Sequence, residues 1–210
     1  LRRVQLHWST ARYAPWQEVQ LLDGLADRVL DGSISEIGVS NIGPKRLAWM
    51  QQRLAERGVP LRSVQVQYSL LSPGDAKVDA LRQLCRERGI EVLAYSPLAF
   101  GVLTMPPEGG RRPRTVLQRQ LLARLQPASR SLRAVVAAIA CQRSVSMAQV
   151  ALNWCRAQGT TPIPGLRTPE QARDVAGALQ WSLTSAELDQ LSMARQQCTV
   201  RTPSNPFQSA

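Results

Sequence analysis

A chain of 210 residues, 44% hydrophobic and 20% charged, is long enough to bury one sizeable core, which excludes a fibrous or disordered class. No apolar run nears the roughly 18 residues of a membrane span, and no charged segment leads into an apolar one at the start. The net charge of +11 raises nucleic acid as a partner, yet Lys45 and Lys77 are the only lysines and the arginines are scattered, where a phosphate backbone needs one basic stripe with interleaved aromatics. Neither a membrane nor a nucleic-acid partner is therefore expected. The compartment is expected to be the cytoplasm, or an organelle if a transit peptide precedes Leu1.

The first predicted strand, 4–8, alternates Val4 and Leu6 with Gln5 and ends in the only histidine, His7, followed by Trp8. A helix at 16–30 leads to a strand at 34–40, a helix at 44–57 to a strand at 63–68, and a helix at 76–88 to a strand at 90–95. Helices at 131–142 and 146–158 precede the last predicted strand, 161–163, and helices at 168–177 and 184–193 follow it. Pro44 and Pro169 stand at helix starts, where the missing N–H costs nothing, and Gly58 and Gly89 stand just past helix ends. The stretch from Phe100 to about Ala128, rich in Gly, Pro and Arg, reads as a long loop, and residues 194–210 read as an irregular tail. The whole is read as one domain.

Alternating β and α segments imply a parallel sheet. A doubly wound nucleotide fold carries a Gly-rich first βα turn, but His7-Trp8-Ser9-Thr10 has no glycine, so a (β/α)8 TIM barrel is favoured. Such a barrel needs eight strands in about 250 residues, and five are visible. The expectation is a barrel truncated at its N-terminus, with unpaired edges that drive self-association and with Leu6, Val64 and Val66 facing the barrel interior. Four widely spaced cysteines without a Cys-x-x-Cys pair, and a single histidine, make a zinc site unexpected.

Polar side chains gather at the carboxyl ends of the predicted strands: His7, Ser40-Asn41, Gln65 and Gln67, and Tyr95-Ser96. In a barrel those ends share the face that carries active sites. Neutral amides and hydroxyls suit a neutral planar amide, and a tyrosine ring offers a stacking surface, a pattern that fits a nicotinamide. The same residues also fit other roles: His7 a solvated or core histidine, Ser40-Asn41 a cap for the helix at Pro44, and Tyr95 a core aromatic.

Five segments in order, Leu6-His7-Trp8, Ile37-Gly38-Val39-Ser40-Asn41, Val64-Gln65-Val66-Gln67-Tyr68, Leu93-Ala94-Tyr95-Ser96-Pro97-Leu98 and Pro162-Ile163-Pro164-Gly165, resemble the C-terminal two-thirds of NADP-dependent aldo-keto reductases. The resemblance runs to about Met193. Residues 65–71 and 151–155 resemble members from plants and photosynthetic bacteria most closely. It implies that His7 orients and polarises a substrate carbonyl, that Trp8 lines the substrate pocket, that Ser40, Asn41 and Gln65 bind the carboxamide of NADP(H), and that Tyr95 stacks on its nicotinamide. Ser96, Leu98 and Gly101 fall in the family's loop over the pyrophosphate. Arg114 is a candidate for a phosphate as well as for a solvated loop position. Gly165, Arg167, Gln171 and Asp174 match the adenosine end, with Arg167 on the 2′-phosphate.

The chain departs from the family at Ala99, where a glycine is usual, and at Val175, where an asparagine normally binds adenine. The family's proton-donating tyrosine, with its lysine and aspartate, lies on strands preceding the histidine strand and is not in this sequence. The implied function is NADPH-dependent reduction of a small aldehyde or ketone to an alcohol, with turnover by this chain alone not expected. The alternative is an inactive NADP-binding module or redox-sensing subunit.

Overall fold

The computed structural model describes residues 1–11, 13–72, 76–108 and 116–203, with backbone only for Leu117 and Gln118; all structural statements refer to these. The elements are β1 (Arg3–Leu6), α1 (Pro15–Leu30), β2 (Glu36–Ser40), α2 (Pro44–Ala55), β3 (Leu61–Gln67), α3 (Ala76–Arg88), β4 (Glu91–Tyr95), a 3-10 turn (Ala99–Thr104), α4 (Val116–Ala128), α5 (Arg130–Gln142), α6 (Met147–Ala157), β5 (Thr161–Ile163), α7 (Pro169–Gly177) and α8 (Ser185–Gln197). The fold is α/β, with a five-stranded parallel sheet in the order β1-β2-β3-β4-β5, the sequential order that βα repeats generate.

Two elements differ from the sequence reading. The stretch read as loop after Phe100 holds the 3-10 turn and α4, whose Leu122 and Leu125 are buried. In addition α8 continues to Gln197, so 194–197 is helical and not part of an irregular tail; residues 204–210 lie outside the described residues. Packing resolves two compact units, one comprising residues 1–67 and 76–93, the other residues 68–72 and 94–203.

In the first unit, β1 pairs with β2 and β2 with β3, so that Gln5 lies beside Gly38 and Gly38 beside Ser63. Successive strand residues face opposite sides. On one side Ile37, Val39, Val64 and Val66 are almost fully buried, and the amphipathic α1 and α2 pack on β2 and β3 with Leu22, Leu47 and Met50 inward. The other side is polar: the Gln5 amide donates to the Ser63 hydroxyl at 3.1 Å, and the Gln65 amide donates to the Gln5 carbonyl at 2.7 Å. Val64 and Val66 therefore lie on the helix-covered side, opposite the polar row, which corrects the expectation that they face a barrel interior. Gly38 makes the row possible, since a Cβ there would stand 2.4 Å from the Ser63 Oγ and 2.8 Å from Gln5.

Several of the scattered arginines meet carboxylates. Arg3 bridges Glu36 and Glu91 at 2.7 Å each, Arg53 pairs with Asp23 at 2.6 Å, and Arg57 with Asp27 at 2.5 Å. The fully buried Glu18 pairs with Arg46, whose guanidinium lies 3.9 Å from the centre of the Trp49 ring.

The second unit is helical, built on the buried faces of α5 and α6. Tyr68 stacks on Trp154 at 5.3 Å between centroids, and its N–H donates to the Tyr95 carbonyl at 3.2 Å. Arg133, buried on α5, donates to the carbonyls of Met105, Pro106 and Gln126, tying down the chain that follows the 3-10 turn. Helix α6 is capped by Ser146 and α7 by Thr168, each hydroxyl accepting from a backbone N–H three residues on; α8 opens with a reciprocal Thr184–Glu187 capping box.

Candidate active site

In the first unit His7 sits exposed just beyond β1. Its backbone carbonyl accepts from the Asn41 amide at 3.1 Å, and its ring stacks on Trp8 at 4.2 Å between centroids and 29° between planes. The Trp8 indole N–H donates to the Tyr13 hydroxyl at 3.1 Å. At the end of β2, the Ser40 hydroxyl donates to the Gln65 backbone carbonyl at 3.1 Å, and the same carbonyl accepts from the Asn41 N–H at 2.9 Å. The Asn41 amide also donates to the Ser40 hydroxyl at 3.1 Å.

Hydrogen bonds thus bring His7, Ser40, Asn41 and Gln65 together. Asn41 holds φ +59°, a left-handed conformation that Asn tolerates better than most residues. Ser40 and Asn41 do not cap α2, whose N-cap is Gly43 without a side-chain bond, so the capping alternative does not hold. Gln5 and Ser63, which extend this network through Gln65, were not singled out in the sequence. Their partners lie 58 and 60 residues away, a separation that no local pattern signals.

Within the second unit a cleft of about 680 Å³ opens, well inside the range of small-ligand sites. Ser96, Leu98 and Gly101 form one wall, and Gly165, Arg167, Gln171 and Asp174 line it as well. All seven were singled out from sequence. Tyr95, half-buried at the end of β4, is not among the lining residues, and Arg114 lies outside the described residues.

The wall containing Gly101 has an unusual backbone. Ser96, Ala99, Phe100 and Gly101 all hold positive φ, at 52°, 47°, 59° and 86°. Ala99 therefore occupies a conformation that glycine adopts freely and alanine at a cost.

Arg167 and Asp174, both in the lining, differ in their partners. The Arg167 N–H donates to the Gln171 side chain at 2.9 Å, which orders the turn into α7, while the exposed Arg167 guanidinium has no carboxylate partner among the described residues. Asp174, in contrast, accepts from the Gln149 amide at 2.8 Å, and Gln149 accepts in turn from the Trp181 indole at 3.0 Å. Ser146, Met147 and Ala148 add the first turn of α6 to the lining. This contribution was missed, although Ser146 three residues before Gln149 is a capping signal.

The Arg167 guanidinium and the N-terminal turns of α6 and α7 make this cleft chemically suited to phosphate-bearing ligands. Val175, also in the lining, adds an apolar patch. Among the described residues no three His, Cys, Asp or Glu side chains gather as a metal site would require.

The sequence profile of the Aldo/keto reductase family matches residues 3–195. The chloroplastic pyridoxal reductase of Arabidopsis thaliana is 43% identical over 208 residues, 98% of this chain and 56% of that protein. An uncharacterized oxidoreductase of Mycobacterium tuberculosis is 32% identical over 184 residues, 83% of this chain and 53% of that protein. The chain thus spans just over half the length of these curated relatives. Among solved structures, the glycerol dehydrogenase of Gluconobacter oxydans aligns with a TM-score of 0.76 at 21% identity, covering 98% of this chain and 61% of that one, a likeness of fold.

Proposed function

This chain belongs to the aldo/keto reductase family, and from that premise we propose that it serves NADP(H)-dependent reduction of an aldehyde or ketone to an alcohol. The observation that carries the reading is the cleft of the second unit, where Arg167 offers a guanidinium without a carboxylate partner among the described residues, beside the N-terminal turns of two helices. Arg167 would hold the 2′-phosphate, with Gly165, Gln171 and Asp174 at the adenosine, and Ser96, Leu98 and Gly101 at the pyrophosphate. Ser40, Asn41 and Gln65 would take the carboxamide, and Tyr95 the nicotinamide ring. The bound cofactor would supply the hydride.

His7 donates a hydrogen bond to the carbonyl oxygen and polarises it, while Trp8, stacked at 4.2 Å, restricts the imidazole and lines the substrate side. The relative named for pyridoxal supports an aldehyde as substrate, and its chloroplastic label supports the organellar over the cytoplasmic location. A small carbonyl compound is the proposed partner.

Binding without turnover is the second reading. Under it the cleft of the second unit would bind NADP(H) while the carbonyl went unreduced.

Calorimetric titration with NADPH and NADH tests the proposal. Arg167→Ala should weaken NADPH by about 1.5–3 kcal/mol, roughly 10- to 150-fold, the value of a charge-assisted bond, and leave NADH nearly unchanged. Equal losses for both cofactors would refute the assignment. NADPH oxidation in the presence of pyridoxal, abolished by His7→Ala, separates an enzyme from a binding module.

A further inference from the structure

We propose that Tyr13 is a positioning residue for the substrate end: its hydroxyl fixes the Trp8 indole, and the indole fixes the imidazole of His7. The inference rests on the reading of His7 and Trp8 given above, and concerns a residue that does not itself touch the carbonyl.

The chain of contacts is short and specific. An indole N–H can only donate, and the Trp8 N–H meets the Tyr13 oxygen at 3.1 Å. The Trp8 ring then lies 4.2 Å from the His7 ring at 29°, a stack that opposes rotation of the imidazole out of contact. His7 is exposed, so packing by a core does not hold its side chain; the stack does.

For Tyr13 to act as a support, its own position must be fixed, and burial does not do this because the residue is 59% exposed. Its backbone does. The Tyr13 N–H donates to the Thr10 carbonyl at 3.1 Å and the Ala14 N–H to the same oxygen at 2.8 Å, while the Thr10 hydroxyl donates to the Ala14 carbonyl at 3.0 Å. That turn is anchored by the Thr10 N–H, which donates to the fully buried Glu18 carboxylate at 3.1 Å. Glu18 is paired in turn with Arg46 at the start of α2. An exposed tyrosine is thus mounted on a turn whose anchor is inside the unit, with its hydroxyl aimed at the residue beside the only histidine.

That single histidine gives the test a clean signal. The ring current of Trp8 displaces the imidazole proton resonances of His7, and no other histidine overlaps them. Trp8→Leu defines the full loss of that displacement. Tyr13→Phe keeps the aromatic ring and removes the acceptor; it should recover at least half of the Trp8→Leu change, with thermal stability unchanged. A change below half would overturn the proposal. Where turnover is measured, Tyr13→Phe should lower kcat/KM for the carbonyl roughly 2- to 10-fold, the range of one net hydrogen bond, with NADPH affinity unaltered. A uniform loss of carbonyl and NADPH affinity would indicate a general structural role and would also overturn it. Failure of NADPH to bind at all would refute the proposed function while leaving the proton-resonance result in force.

Discussion

The two units use polar side chains in opposite ways. In the unit that carries His7, the side chains of Gln5, Ser40, Asn41, Ser63 and Gln65 bond to one another or to nearby backbone, and a glycine at 38 clears the space for them. In the unit that carries Arg167, polar groups surround open volume, and the arginine has no carboxylate of its own among the described residues. A saturated network gives geometry and stability, because its members hold each other in place; an open cleft with an unpaired charge gives binding, because its charge is satisfied by what enters. Substitutions in the first unit should therefore cost stability, and substitutions at Arg167 should cost affinity with folding unchanged.

The largest stability effect is expected at Gly38. A methyl group there displaces the buried Ser63 hydroxyl and the Gln5 side chain together, so Gly38→Ala should destabilise the protein by about 2–3 kcal/mol, the range for overpacking combined with a lost buried hydrogen bond. Urea denaturation with an unchanged m-value reads this directly. A loss below the error of the extrapolation would mean that the polar row is adaptable and that the contrast between the units is weaker than drawn.

Acid sharpens the comparison from the second unit. The Arg143 guanidinium, with help from Thr184, holds the Glu187 carboxyl well below its usual value, down to about 2. A carboxyl with a depressed folded-state value stabilises the protein fully above the unfolded value near 4.5 and loses that contribution as pH falls towards about 2. For this part-exposed pair the loss should be on the order of 1–2 kcal/mol after solvent screening. Thermal unfolding followed from pH 5 to pH 2 should show a slope that Glu187→Gln flattens; an identical slope in the variant would place the acid sensitivity elsewhere. The smallest effect is expected at Ala99, held at φ +47°, where Ala99→Gly should raise stability by about 0.5–1 kcal/mol, since relief of left-handed strain outweighs the lost methyl burial. A lower melting temperature in that variant would show that the methyl contact dominates.

The units also differ in how much the sequence revealed. Strands β1 to β5 were legible because β-rich runs ended at the expected punctuation, with Pro44 and Pro169 opening helices and Gly58 and Gly89 closing them. The cleft residues Gly165, Arg167, Gln171 and Asp174 were legible only through the resemblance to aldo-keto reductases, which assigns those positions after β5 to the adenosine end. Helix α4 was hidden by the Gly-, Pro- and Arg-rich residues before it, although Leu122 and Leu125 bury its inner side. The strain at Ala99 was legible only through the resemblance, which puts a glycine there; alanine by itself reads as a helix former and carries no mark of a positive φ. The Gln5–Ser63–Gln65 row was illegible for another reason: register between strands far apart in sequence brings those side chains together, and an isolated glutamine in a strand reads as solvent-facing.

Phosphorus NMR of NADP⁺ titrated with the chain tests the cofactor cleft most directly, because the 2′-phosphate and the pyrophosphate give separate resonances. Binding should broaden and shift both, and Arg167→Ala should spare the 2′-phosphate signal while the pyrophosphate signals still respond. Unaltered phosphorus signals with the wild-type chain, or a 2′-phosphate that responds equally in the variant, would contradict the assignment of the cleft and of Arg167.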